Sequence, residues 1–167
     1  MMKALVFLIT IIFSSYAASG GSSQYIKIIY SGFTLNIPAA PFVVGHLGGD
    51  ADSLVFKYSE ESGGRYIGFA NDSDLYTGNC TSEVFFQKVM GETNTSDCDG
   101  AVTAFQKVFS KNSESGTWSS SKHKFYYFID NKRSSFLFLV AGDGAVAKME
   151  SDFLKKSDFR EALSSYL

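Results

Sequence analysis

The sequence predicts an α+β fold: one domain with a mostly antiparallel sheet of about six strands and two to four short helices packed on it. Three observations lead there. Strand-like segments come first and return later as an aromatic hairpin, helix-period segments lie between and after them, and no parallel βαβ series or long repeat is present. Sixteen Phe, nine Tyr and one Trp in 167 residues, with only 19% charged residues, describe a chain with a substantial core and argue against global disorder.

The strands follow in order. Residues 25–30 are rich in β-branched and aromatic side chains, and Ser31 and Gly32 interrupt them. Residues 33–37 alternate, with Phe33, Leu35 and Ile37 on one face and Thr34 and Asn36 on the other. Pro38 and Pro41 are expected to stop this strand and keep residues 38–42 out of a ladder. Residues 43–52, with Gly45, Gly48 and Gly49, read as a turn-rich connection. Residues 53–58 and 65–69 form a hairpin around the loop at 60–64, and Gly68 marks a bulge or a close backbone approach. Residues 71–78 are polar loop.

Two helix candidates come next. Ser82 can cap residues 83–90, with Gly91 as a stop signal, although Val84, Phe86, Lys88 and Met90 also alternate as a strand would. Asp99 can cap residues 100–110, where Val102, Phe105 and Phe109 share a face. Residues 112–121 read as a Ser-rich loop holding Trp118. Residues 125–129 and 136–140, joined by a polar turn at 130–133, are apolar on both faces, which places this hairpin in the middle of a sheet covered on each side. Gly142 to Gly144 turn the chain. Residues 145–155 read as a helix from Val146, Met149 and Phe153 at i, i+3 and i+7, and Ser157 caps a last short helix bearing Phe159, Ala162, Leu163 and Tyr166 on one face.

Lys3, a run of about ten apolar residues to Phe13, and the small residues Ser15 and Ala17 have the layout of a secretory signal peptide, too short to span a membrane. The expected organisation is therefore a cleaved signal at 1–17, a flexible Gly/Ser lead at 18–24, and a single domain at 25–167. The protein is expected to be exported: periplasmic in a Gram-negative cell and otherwise secreted. Cleavage removes Lys3 and leaves 14 basic against 17 acidic residues, a net charge of −3. A weakly acidic surface without a basic stripe gives no footing for nucleic acid, and no later apolar run supports membrane attachment.

In an oxidising compartment Cys80 and Cys98 are expected to pair, because two thiols without nearby His fall short of a tetrahedral zinc site. No metal and no cofactor is predicted. Asn71, Asn79 and Asn94 open three Asn-x-Ser/Thr sequons, meaningful only in a host that glycosylates them. His46, Asp50 and Asp52 cluster around glycines as a hydrolytic base or part of a metal site would, or simply as a turn; Asp50/Asp52 and Asp72/Asp74 lack the length and closing Glu of a calcium loop. His123 reads as an exposed edge-strand residue. The nucleophile signature G-x-S-x-G and the zinc signature H-E-x-x-H do not occur.

A small exported domain without a catalytic set reads first as a binding protein for another protein, of periplasmic-inhibitor or immunity type. The loops at 43–52, 71–79 and 111–121 are its expected binding edge, with Trp118, His46, Asp50 and Asp52 as candidate contacts. Trp118 also suits a place flanking the sheet. A small hydrolase using His46 with Asp50 or Asp52, and a small-ligand carrier lined by sheet aromatics, are the other readings.

Overall fold

The computed structural model describes residues 24–48, 52–72 and 75–167. The expected signal at 1–17, nearly all of the lead at 18–24, and Asp50 and Asp74 lie outside the described residues. The described chain is α+β with antiparallel pairing throughout: nine strands in two sheets and three α-helices, more strands than the six expected.

The strands are β1 (Tyr25–Tyr30), β2 (Phe33–Pro38), β3 (Val43–Leu47), β4 (Ser53–Lys57), β5 (Tyr66–Asn71), β6 (Glu114–Ser119), β7 (Lys124–Ile129), β8 (Ser135–Val140) and β9 (Val146–Ser151). The helices are α1 (Ser82–Val89), α2 (Asp99–Phe105, continuing as a π-helical turn at Gln106–Ser110) and α3 (Lys156–Ala162). β1 and β2 form a separate hairpin. The other seven strands form one sheet in the order β3-β4-β5-β9-β8-β7-β6.

The β1–β2 turn is two residues long, and Ser31 and Gly32 both have positive φ, the geometry that follows strand twist. Pro38 does not stop β2 before pairing: it is the last paired residue, opposite Tyr25, at an edge where a missing N–H costs little. This hairpin and α3 cover one face of the large sheet over Phe56, Ile67, Phe69, Phe125, Leu137, Leu139 and Met149. Tyr166, just beyond α3, accepts a hydrogen bond from the Thr34 amide at 2.8 Å, which ties the two covering pieces together.

The opposite face carries α1 and α2. Residues 83–90, open between helix and strand in the sequence, are helical; Thr81 rather than Ser82 caps α1, accepting from the Val84 amide. Phe86 stacks on Tyr126 at 4.7 Å, and Phe105 meets Phe128 and Phe138 edge-on or tilted within 5.4 Å. Ring contacts of this kind contribute roughly 0.5–1.5 kcal/mol each beyond area burial. β7 and β8 are thus buried on both faces, as their double-sided apolar runs predict, while the middle strand of the seven is β9.

Three segments differ from expectation. Residues 145–155 are not a helix; Val146–Ser151 is β9. Ala, Lys, Met and Glu favour helices intrinsically, but pairing to β5 and β8 on both sides overrides that preference. The supposed loop at 112–121 contains β6, and the connection at 43–52 contains β3. Both are edge strands, where Ser and Gly are tolerated because only one side is paired. α3 begins at Lys156 with Lys155, not Ser157, at its cap, and the Asp158 carboxylate accepts from the Lys155 amide at 2.8 Å.

Candidate functional site

The predicted contact residues fall on opposite edges of the large sheet. His46 lies on β3, the first strand, and Trp118 on β6, the last. Six inter-strand steps of ~4.8 Å separate the edges by about 29 Å. One compact site cannot hold both.

On the β6 edge, Trp118 is half-buried and lies against Tyr127, ring centroids 4.4 Å apart. The Lys156 ammonium sits 4.6 Å above the same Tyr127 ring and contacts Glu114, which raises the lysine's pKa. Gly116 is required here: a Cβ at this position would overlap the Tyr127 hydroxyl and ring. Trp118 therefore works as a sheet-flanking side chain, packed into the core beneath α3 and β1–β2. His123 is not an exposed edge residue. It precedes the internal strand β7 and is half-buried among Phe33, Phe125 and Tyr166, with centroids 5.1–6.1 Å away.

On the β3 edge the sequence pairing is realised in part. His46 Nε2 lies 2.9 Å from Asp52 Oδ1, both side chains well exposed, and the Asp52 carbonyl accepts a hydrogen bond from the Tyr30 hydroxyl. Burial, then the Asp52 charge, raises the Tyr30 pKa. Among the described residues no Ser, Thr or Cys side chain hydrogen-bonds to His46, and no three His, Cys, Asp or Glu side chains converge as a metal set.

Cys80 and Cys98 are joined, with Cα atoms 5.7 Å apart. The bond ties the segment entering α1 to the start of α2 and thereby holds the helical layer together. Gly78 packs against it: its φ is +66°, and a Cβ there would lie 3.3 Å from Cys98 Cα. Asn79 and Asn94 are exposed loop residues, and Asn71 ends β5.

What sequence reasoning missed is the uncovered part of the sheet. Register places Val43, Gly45 and Leu47 of β3, Lys57, Val55 and Ser53 of β4, Tyr66, Gly68 and Ala70 of β5, and Lys148 and Glu150 of β9 on the helix-bearing face. Yet the cluster beneath α1 and α2 draws on β7, β8 and Val146 of β9, and on no described residue of β3, β4 or β5. An open groove of about 270 Å³ results, floored by Val55, Gly68 and Ala70 and bounded by Leu47, Tyr66 and Lys148. All five residues of β3 are exposed; Leu47 is 65% and Val43 and Val44 are each 51% accessible, with Phe42 at 62% just before them.

Within the groove Glu150 accepts from the Tyr66 hydroxyl, which also contacts Ser134 Oγ at 3.0 Å. Burial first, and this carboxylate second, push the Tyr66 pKa up to about 12. Lys148 stands between Ala70 and Phe138 in register and makes no ion pair with a described acidic residue. The signal for this site was in the sequence as the small or polar residues Gly45, Ser53, Gly68 and Ala70 in otherwise apolar strands, and as the charges of residues 148 and 150.

No protein-family model matches the chain, and no curated protein matches it in sequence.

Proposed function

We propose that this chain is an exported, non-enzymatic binding protein that recognises another protein, with an inhibitor or immunity-type role as its form. One observation carries the reading. The edge strand β3 is exposed along its whole length, with Val43 and Leu47 on a sheet face that no described helix covers and Val44 exposed on the opposite side. Contiguous exposed apolar surface on a small domain marks an interaction site, and an unprotected edge adds unpaired backbone groups to it. The contact surface is thus the strand side of residues 43–47 and the face behind it, with His46 and Asp52 on its border and Trp118 outside it.

Site-specific photocross-linking tests this. Leu47 or Val43 replaced by p-benzoylphenylalanine is expected to yield a discrete adduct in the native compartment, whereas Ser157, exposed on α3, yields none. Adducts from Trp118→p-benzoylphenylalanine without any from position 47 would move the site to the β6 edge and overturn the proposal.

The second reading, a small hydrolase, draws its support from the 2.9 Å His46–Asp52 contact. Such a pair needs a nucleophile or a bound water at hydrogen-bond distance from the imidazole. Hydrolysis of a peptidoglycan, ester or peptide substrate by the purified protein, lost in His46→Ala, would establish it in place of the binding role. The carrier reading draws no comparable support, since Tyr126, Phe128 and Phe138 are packed beneath Phe86 and Phe105.

A further inference from the structure

We infer that the uncovered half of the helix-bearing face takes an amphipathic helix of the partner protein, lying on β3–β5 and placing one carboxylate against Lys148. The inference rests on the protein-binding reading above and gives the partner its chemistry.

The dimensions select a helix. From β3 to β9 is three inter-strand steps, about 14 Å, and strands of five or six residues run about 17–20 Å. A single helix of ~12 residues, 10–12 Å across, fills that space. Strands β4 and β5 are already paired on both sides, so a chain lying over them finds no free backbone ladder and must bring its own internal hydrogen bonds. A helix does so. The floor also suits close approach: Gly45, Ala70 and Ser53 keep it low, the Tyr66 ring lies over Gly68, and Val55, Leu47 and Val43 supply apolar contact. α1 and α2 show the same solution on the adjoining half, where helices complete the layer above β7 and β8.

The charge selects an acid. Lys148 lies on the central strand, half-buried, at the boundary between the covered and uncovered halves, with Ala70 on one side and Phe138 on the other. The other charged groups of this face make hydrogen bonds, Lys57 to the Glu61 carbonyl and Glu150 from the Tyr66 hydroxyl, whereas the Lys148 ammonium makes neither a hydrogen bond nor an ion pair with a described residue. An ammonium that pairs with no described acid, in a groove whose carboxylate Glu150 is held by Tyr66, is completed by a carboxylate on the border of the incoming apolar stripe, and a covered cation left without one would disfavour a purely apolar helix.

Selection from a displayed library of amphipathic helical peptides on the purified protein, repeated on Lys148→Glu and Lys148→Met, tests both levels. Bound peptides should protect the amides of β3–β5 from hydrogen exchange. Clones from the unaltered protein should carry Asp or Glu at the stripe border, and clones from Lys148→Glu should carry Lys or Arg there. In a selected peptide Glu→Gln should weaken binding to the unaltered protein about tenfold, with little effect on Lys148→Met. Thermal melts of both variants check that they remain folded. Helices that protect β3–β5 but show no acidic preference overturn the role of Lys148 and leave the docking surface standing. If no selected peptide protects that face, both levels fail. Concentration-dependent self-association that Lys148→Glu abolishes would assign the face to a second copy and overturn the partner-helix inference.

Discussion

The two halves of the seven-stranded sheet are built to different rules. In β8 and β7 both faces are covered, and the strands carry unbroken aromatic and aliphatic runs whose side chains are almost wholly buried. From β3 to β5 the described residues cover only the hairpin side; the other face carries Gly, Ala, Ser, Val and Lys, and the outermost strand is exposed throughout. Hydrogen-bond pairing is continuous across the boundary, so the difference lies in what packs on the sheet and not in the sheet itself. Stability is expected to concentrate in the first half, which leaves the second free to carry surface chemistry that would be costly in a core.

The largest expected effect probes the covered half. Phe138 is fully buried and meets Phe86, Phe105, Phe109 and Phe128. Phe138→Ala should lower the unfolding free energy by about 3–5 kcal/mol in chemical denaturation, because the rigid neighbouring rings cannot collapse into the cavity. A loss below ~1 kcal/mol would mean that the aromatic cluster is not the main source of stability.

A smaller effect comes from the staple over the same half. The Cys80–Cys98 bond closes a loop of 18 residues in separation, and opening it with Cys80→Ser plus Cys98→Ser should cost about 3 kcal/mol through the entropy regained by the unfolded chain. Hydrogen exchange should then accelerate in α1 and α2 before it does in β3–β5. Exchange that rose first at β3–β5 would show that the halves are not energetically separate.

Legibility in the sequence followed the same division. Strands β7 and β8 and helix α2 were readable because burial on a fixed side leaves a strong pattern: two-sided apolar runs for the strands, an i, i+3, i+7 face for the helix. β3, β6 and β9 were not. An edge strand needs few apolar residues, so Gly45 and Ser115 carry no warning of a ladder, and β9 sits where the helix layer ends, so one of its faces mixes Val146 with Lys148 and Glu150. The polar positions that disguised β9 as a helix belong to the groove. Likewise, His46 was recognisable as a surface histidine with an acidic neighbour, but its 29 Å separation from Trp118, about six strand steps, depends on strand order, which no local pattern encodes.

The smallest expected effect is the one that separates the halves most sharply. Leu47 and Val43 point from β3 onto the uncovered face and remain largely accessible, so Leu47→Ser and Val43→Ser remove little buried area from the folded state. Each should change the unfolding free energy by no more than about 0.5 kcal/mol, the range of ordinary surface substitutions. The same change in a covered strand, Leu137→Ser, would remove a side chain with no accessible surface and also bury a hydroxyl without an assigned partner, two costs that point the same way. Thermal melts of the three variants side by side therefore give a direct contrast. A large loss from Leu47→Ser would mean that Leu47 is covered in the folded protein in solution, and the uncovered half of the sheet would then belong to the core.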